Sequence, residues 1–229
     1  MSPIPRPQSG HLSPQPVGGS GTPRMAANAR ARIYLGGIVV AGLCYWAVSA
    51  RESSPGLSAI RLTEWYGFIA AAGLYVALAI SPVSALFPGA PARGLLLEAR
   101  RAIGVSAWAF AALHSLIGFR VLLGGWSGLA FISPARLADV ILSGLSLLIL
   151  SVLALTSNNR TQALLGKRWR SLHRLIHAAA VLSLLHMVAV GSHFLKWGIS
   201  AFVLAAMVIV LLGLQWIRWI TGMAGRNGR

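Results

Sequence analysis

The chain has 229 residues, of which 56% are hydrophobic and 10% charged, with a mean hydropathy of +0.70. Soluble domains carry roughly a quarter of their residues as charges, so this is the composition of an integral membrane protein, and the lone cysteine, Cys44, excludes an internal disulfide. The net charge of +16 comes from basic residues that flank apolar stretches, which sets membrane orientation and lipid contact rather than nucleic-acid binding.

Residues 1–32 hold six of the eleven prolines and no acidic residue. Such a segment buries too little apolar surface to offset chain entropy, so a disordered tail is expected there. Six apolar stretches follow, at 33–50, 66–87, 102–123, 137–156, 173–192 and 197–219, each close to the roughly 20 residues that cross a bilayer as a helix. The first also has marks of a signal peptide, with Arg30 and Arg32 ahead of it and Ala47-Val48-Ser49-Ala50 at its end. Its length exceeds the usual apolar region of such a leader, and cleavage would leave five spans of mismatched orientation.

The expected fold is therefore an all-α membrane protein, a six-transmembrane-helix bundle over 33–219 with a short basic tail at 220–229. Fourteen Lys and Arg residues fall on the side of the 88–101 and 157–172 connections and of both termini, against four on the other side. The positive-inside rule then makes both termini cytoplasmic.

Histidine makes the interior informative, because a neutral imidazole ligates metals and haem iron. His114 lies in the third span, and His173, His177 and His186 lie in the fifth. Polar groups in hydrocarbon are costly without partners, so four of them on two helices point to function, although a histidine bonded to a neighbouring carbonyl is the plain alternative. His114 is thirteen residues from Arg101, and His186 is twelve from Arg174, which puts both rings about 18 to 20 Å from the basic ends. Two imidazoles at one height on parallel helices, with Ala111, Ala112, Gly118, Ala178, Ala179, Ala180 and Ser183 nearby, suit a flat macrocycle with two axial ligands. On one ideal helix His173 and His186 would point about 140° apart.

Other polar residues are weighed against plainer roles. Arg120, beyond His114 in the third span, is a candidate partner for a haem propionate, with snorkelling to the surface as its rival. His177 is read as a packing or interfacial residue, and His193, beside Lys196 and Trp197, as an interfacial one. The tryptophans sit mostly near span ends, as in aromatic belts. The acidic residues are Glu52, Glu64, Glu98 and Asp139, none deep in a span, which argues against a transporter built on buried carboxylates and against a hydrolase triad.

A set of motifs then resembles a known family. Arg100-Arg101-Ala102-Ile103-Gly104, His114 ten positions on, Leu155-Thr156-Ser157, the run Leu165-Gly166-Lys167-Arg168-Trp169-Arg170 with Leu172-His173, and His186 resemble the ferric-reductase-like transmembrane domain family. Within it they are similar to the haem-binding membrane subunits of periplasmic methionine sulfoxide reductase systems, and Ser81-Pro82 fits as well. The resemblance covers spans two to six. It implies a bacterial inner-membrane protein carrying haem b, with His114 and His186 as axial ligands and His173 as a further ligand or an electron-entry residue. A second haem is in doubt, because the third span has Arg100 and Arg101 at the height where a partner for His173 would sit. The resemblance also admits FMN, whose phosphate the basic 160–170 loop could attract, with a solvated positive-inside loop as the rival reading; it further implies quinol or a cytosolic flavin reductase as electron donor and a periplasmic molybdopterin-containing methionine sulfoxide reductase as partner. The rival readings are a stand-alone ferric or cupric metalloreductase and a non-redox small transporter or assembly factor.

Overall fold

A computed structural model of the chain describes residues 23–87, 89, 93–190 and 199–224. Its elements are helices α1 (Pro23–Arg51), α2 (Pro55–Leu86), α3 (Arg93–Ile117), a π-helical turn (Gly118–Leu122), α4 (Gly125–Gly128), a 3₁₀ turn (Leu129–Phe131), α5 (Pro134–Leu155), α6 (Asn159–Leu165), α7 (Lys167–His173), α8 (Ile176–Val190) and α9 (Ile199–Ala224). No strand occurs among the described residues.

Local chemistry explains where the helices start. Ser54 accepts from the Leu57 amide at 3.2 Å and Ser133 from the Arg136 amide at 3.3 Å, each just before a proline. A side-chain oxygen there satisfies an amide that has no intrahelical partner, and proline loses nothing where no donor is needed. Asn158 caps α6 in the same way.

Five segments are long and apolar enough to cross a membrane: Asn28–Arg51, Pro55–Leu86, Arg93–Leu122, Pro134–Leu155 and Lys167–Val190. A shorter apolar segment, Ala205–Ile217, lies within α9. Large apolar side chains such as Ile38 and Trp46, both 69% exposed, cover the outside of the bundle, as suits a surface meant for lipid.

Several boundaries differ from the sequence expectation, and α2 and α3 begin at Pro55 and Arg93 rather than at 66 and 102. Residues 23–32 are the first turns of α1 rather than tail, because Met25-Ala26-Ala27 and Ala29 are strong helix formers behind a proline at the first helical position. The expected fifth span is interrupted at Arg174–Leu175 between α7 and α8, where tight i to i+3 bonds join Arg174 to Ser171 and Leu175 to Leu172. The 140° angle between His173 and His186 assumed one continuous helix and does not apply across this break. Residues 1–22, His193, Lys196, Trp197 and the tail beyond Ala224 lie outside the described residues.

Helix α2 is the centre of the bundle, packing against α1, α3, α8 and α9, while α5 packs against α8 and α3. Its buried face presents Ala70, Ala71, Leu74, Tyr75, Ala77 and Leu78. Lipid offers no hydrophobic drive for helices to associate, so close approach of small residues and interhelical hydrogen bonds must do it. A Cβ on Gly73 would lie 3.0 Å from that of Ala107, which shows how near α2 and α3 come. Tyr75 donates to the Ala180 carbonyl, Tyr66 to that of Ala41, and Trp108 Nε1 to Ser151 Oγ. Each bond of this kind contributes about 0.6 to 2 kcal/mol in membranes.

Candidate functional site

The basic end of the bundle carries Arg93, Arg100, Arg101 and the α6–α7 segment, and the opposite end carries Glu52, Glu64 and Arg136. Between α2, α3, α5 and α8, toward the second end, lies a cavity of about 330 Å³ lined mostly by apolar and small residues, among them Gly67, Ala71, Leu74, Ala111, Leu147 and Met187. This is the size and character of a small-molecule site. His114 enters it from α3 and His186 from α8.

The ring centroids of these two histidines are 6.1 Å apart with planes at 77°, so the rings placed at one height by residue counting do face one space. A metal bound between two imidazoles at about 2 Å each sets the centroids about 6 Å apart. His114 Nδ1 lies 2.8 Å from the Thr63 carbonyl. A carbonyl only accepts, so Nδ1 carries the proton and the neutral ring keeps its lone pair on Nε2, the state a metal ligand needs. His186 Nδ1 is buried and has no hydrogen-bond partner. An unpaired imidazole nitrogen at this depth costs about 1 to 3 kcal/mol unless something binds there. The residues present therefore fit a metal or haem iron held from two sides.

Gly67 makes the His114 geometry feasible, and sequence reasoning passed over it. A Cβ at this position would lie 2.7 Å from His114 Nδ1 and 3.0 Å from its Cε1. In a helix the side chain of residue i+4 crowds the carbonyl of residue i, so a glycine at 67 uncovers the Thr63 oxygen for the imidazole. The available signal was a glycine within an apolar span, which costs about 1 kcal/mol relative to alanine and so marks a packing need.

Ser146 is buried on α5 and donates to the Ala179 carbonyl or pairs with Ser183, at 3.0 and 2.8 Å. It locks α5 to α8 one turn below His186 and lines the cavity.

Arg120, the expected propionate partner, sits exposed in the π-helical turn and is not among the residues that line the cavity. Arg136, three residues into α5 and likewise exposed, does line it.

His173 belongs to a second cavity of about 410 Å³ at the basic end, together with Arg100, Arg101, Arg170, Arg174, Trp169 and His177. Its Nε2 lies 3.2 Å from Thr156 Oγ1, whose hydroxyl is 2.7 Å from the Val152 carbonyl. With that hydroxyl donating to the carbonyl, Thr156 accepts from His173, whose Nε2 thus carries a proton while Nδ1 keeps the lone pair. Trp169 stacks on His173 at 4.1 Å and donates its Nε1 to the Thr156 carbonyl at 3.0 Å. The Leu155-Thr156-Ser157 and Trp169-to-His173 stretches, separate in sequence, are thus one cluster. Gly166 joins α6 to α7 at φ 50° and ψ −121°, a conformation that requires glycine.

Arg101 ties α3 to α6 by donating to Asn159 Oδ1 at 2.6 Å and Gln162 Oε1 at 2.8 Å. Arg100 Nε donates to the Ala77 carbonyl at 3.1 Å, close to where Pro82, lacking an amide hydrogen, opens the α2 ladder. No group of three or more His, Cys, Asp or Glu suited to a bare metal ion occurs among the described residues.

Comparison with known proteins supplies independent information. Over 194 residues, 82% of this chain and 90% of the relative, the sequence is 28% identical to the protein-methionine-sulfoxide reductase heme-binding subunit MsrQ of Salmonella enteritidis PT4 (strain P125109). Over 115 residues, 49% of this chain and 55% of the relative, it is 34% identical to the subunit of the same name from Cronobacter sakazakii (strain ATCC BAA-894). No protein-family model matches the chain, and no solved structure does. The chain is similar to two proteins named as MsrQ heme-binding subunits of protein-methionine-sulfoxide reductase, in keeping with the resemblance carried by its own histidine and arginine motifs.

Proposed function

We propose that the protein is a haem b membrane subunit that carries electrons through the bilayer to a periplasmic methionine sulfoxide reductase. The observation that carries this reading is the His114–His186 pair, 6.1 Å apart across an apolar cavity, in a chain whose relatives are named as heme-binding subunits. Haem, when bound, supplies one-electron chemistry at a potential tuned by its axial ligands and surroundings. The chain contributes the rest. His114, oriented by the Thr63 carbonyl, offers Nε2, His186 offers the opposing nitrogen, and the apolar walls keep water from the metal.

In this reading the chain forms six spans in the bacterial inner membrane, with α9 as the sixth and both termini cytoplasmic. The basic cavity at the cytoplasmic end is the side of electron entry, from quinol or a cytosolic flavin reductase. Its cluster of guanidinium groups around His173 suits an anionic group such as the phosphate of FMN. The partner at the other end is a molybdopterin-containing catalytic subunit, which reduces oxidised methionine. Arg120, exposed in the turn that follows α3, is a further candidate cation for that end.

The test is the reduced-minus-oxidised visible spectrum of the purified protein with haem per chain quantified. A b-type spectrum in the wild type, lost in His114→Ala and His186→Ala and kept in His173→Ala, is the expected result. A wild type without haem after expression with ample haem supply overturns the reading.

A further inference from the structure

The mouth of the His114/His186 cavity carries two groups of opposite charge. Glu64 lines it from α2 and Arg136 from α5. Glu64 is engaged by Arg61, whose NH1 lies 3.0 Å from Glu64 Oε2, and Arg61 also reaches Glu52 at 3.6 Å. No carboxylate lies within 4 Å of the Arg136 guanidinium among the described residues; Asp139, three positions on and also on α5, makes no ion pair with it. A cation in the first turn of a helix stands at the positive end of the macrodipole and is disfavoured by about 0.3 to 1 kcal/mol. The first turn of α5 holds no acidic residue to offset this. An arginine placed so, exposed at the end of α5 and reaching the mouth of a mostly apolar cavity, has no carboxylate partner among the described residues, since Glu64 is taken by Arg61.

Position along the bundle says which anion fits. Arg136, Ser143, Leu147 and Leu150 share one face of α5, the face turned to the cavity. Ser146 is level with Ser183 by their hydrogen bond. Ten residues back along α5 to Arg136 and three residues on along α8 to His186, at about 1.5 Å each, put Arg136 about 10 Å nearer the mouth than His186. A haem iron and the carboxylates of its propionate arms are separated by a comparable span. A planar guanidinium matches a carboxylate with two parallel hydrogen bonds, which an ammonium cannot do.

We infer that Arg136 is the anchor for the haem propionates, clamping the carboxylate edge of the macrocycle at the mouth of the cavity, while Arg61 holds Glu64 away from it. This rests on the haem reading above and adds to it a residue that the sequence alone did not single out. Arg136 ligates nothing and is a positioning residue. Its cation also favours the electron-rich ferrous state, since a reduced iron carries one positive charge fewer.

The test uses the full-length holoprotein in detergent, with two readouts: the midpoint potential, and the rate of haem loss to a scavenging apoglobin. Arg136→Gln is expected to lower the potential and to speed haem loss about tenfold, the size of one charge-assisted bond near solvent. Arg136→Lys recovers part of both, and Arg51→Gln, an exposed cation at the same end, changes neither. A second measurement needs no variant. Wild-type chain from haem-deficient cells is loaded with haem or with its dimethyl ester, and the ester is expected to leave about tenfold faster. Equal loss of haem and ester, or an Arg136→Gln protein indistinguishable from wild type in both readouts, overturns the assignment while the haem spectrum stands. A wild type that takes up no haem overturns both.

Discussion

Two cavities share the side chain of Leu150 and otherwise have little in common. Each contains histidine from the Lys167–Val190 segment. In the apolar cavity His186 faces a second imidazole across 6.1 Å and keeps an unpartnered nitrogen. In the basic cavity His173 is stacked on Trp169, bonded to Thr156 and surrounded by arginines. The same residue type thus faces an apolar space opposite a second imidazole in one place and sits in a stacked, hydrogen-bonded basic cluster in the other. What separates them is the set of neighbours brought to each ring, which residue spacing does not report.

That contrast can be broken or sharpened experimentally. The largest effect is expected from His186→Ala against His173→Ala: the first removes essentially all bound haem, the second leaves the absorbance of the His114/His186 site within about a factor of two, as measured by haem per chain. Equal losses would mean that the basic cavity is a ligand site after all. Gly67→Val comes next. The 2.7 Å approach to His114 Nδ1 leaves no room for a side chain, so overpacking costs about 1 to 3 kcal/mol and the imidazole loses the Thr63 carbonyl. Lower thermal stability together with weaker haem retention checks this, and unchanged haem affinity would refute the role given to Gly67.

Smaller effects follow in the frame between the cavities. Ser146→Ala removes the hydroxyl that links α5 to α8 and is expected to cost about 1 kcal/mol in thermal or denaturant unfolding. Thr156→Ala frees His173 Nε2 at a cost of about 0.5 to 1.5 kcal/mol, without changing haem per chain at the other site. If Thr156→Ala instead raised the haem content, His173 would be a ligand held in reserve by its hydrogen bond.

Much of this was legible in the sequence. A charged fraction of 10% and runs of about twenty apolar residues dictate membrane helices, because hydrocarbon leaves the backbone no partner but itself. Counting from Arg101 and Arg174 placed His114 and His186 at one depth, since helical rise is constant. Counting failed across Arg174–Leu175, where a tight turn resets the rotation between His173 and His186. It also extended the tail through residues 23–32, where the alanines support helix. Arg120 drew attention by standing inside an apolar run, whereas Arg136, at a span boundary, looked like an ordinary orientation charge.

Composition, periodicity and basic flanks, then, decided that the chain enters the membrane as helices and which histidines lie within it. These are local properties, set by each segment's own cost of meeting lipid or water. Which imidazole meets which partner, which arginine turns to the cavity and which glycine opens a carbonyl were decided by the packing of α2, α3, α5 and α8. These depend on rotation about each helix axis and on approaches of a few ångströms between residues far apart in the chain. In lipid, where no hydrophobic force orders helices against one another, small residues and interhelical hydrogen bonds select that arrangement.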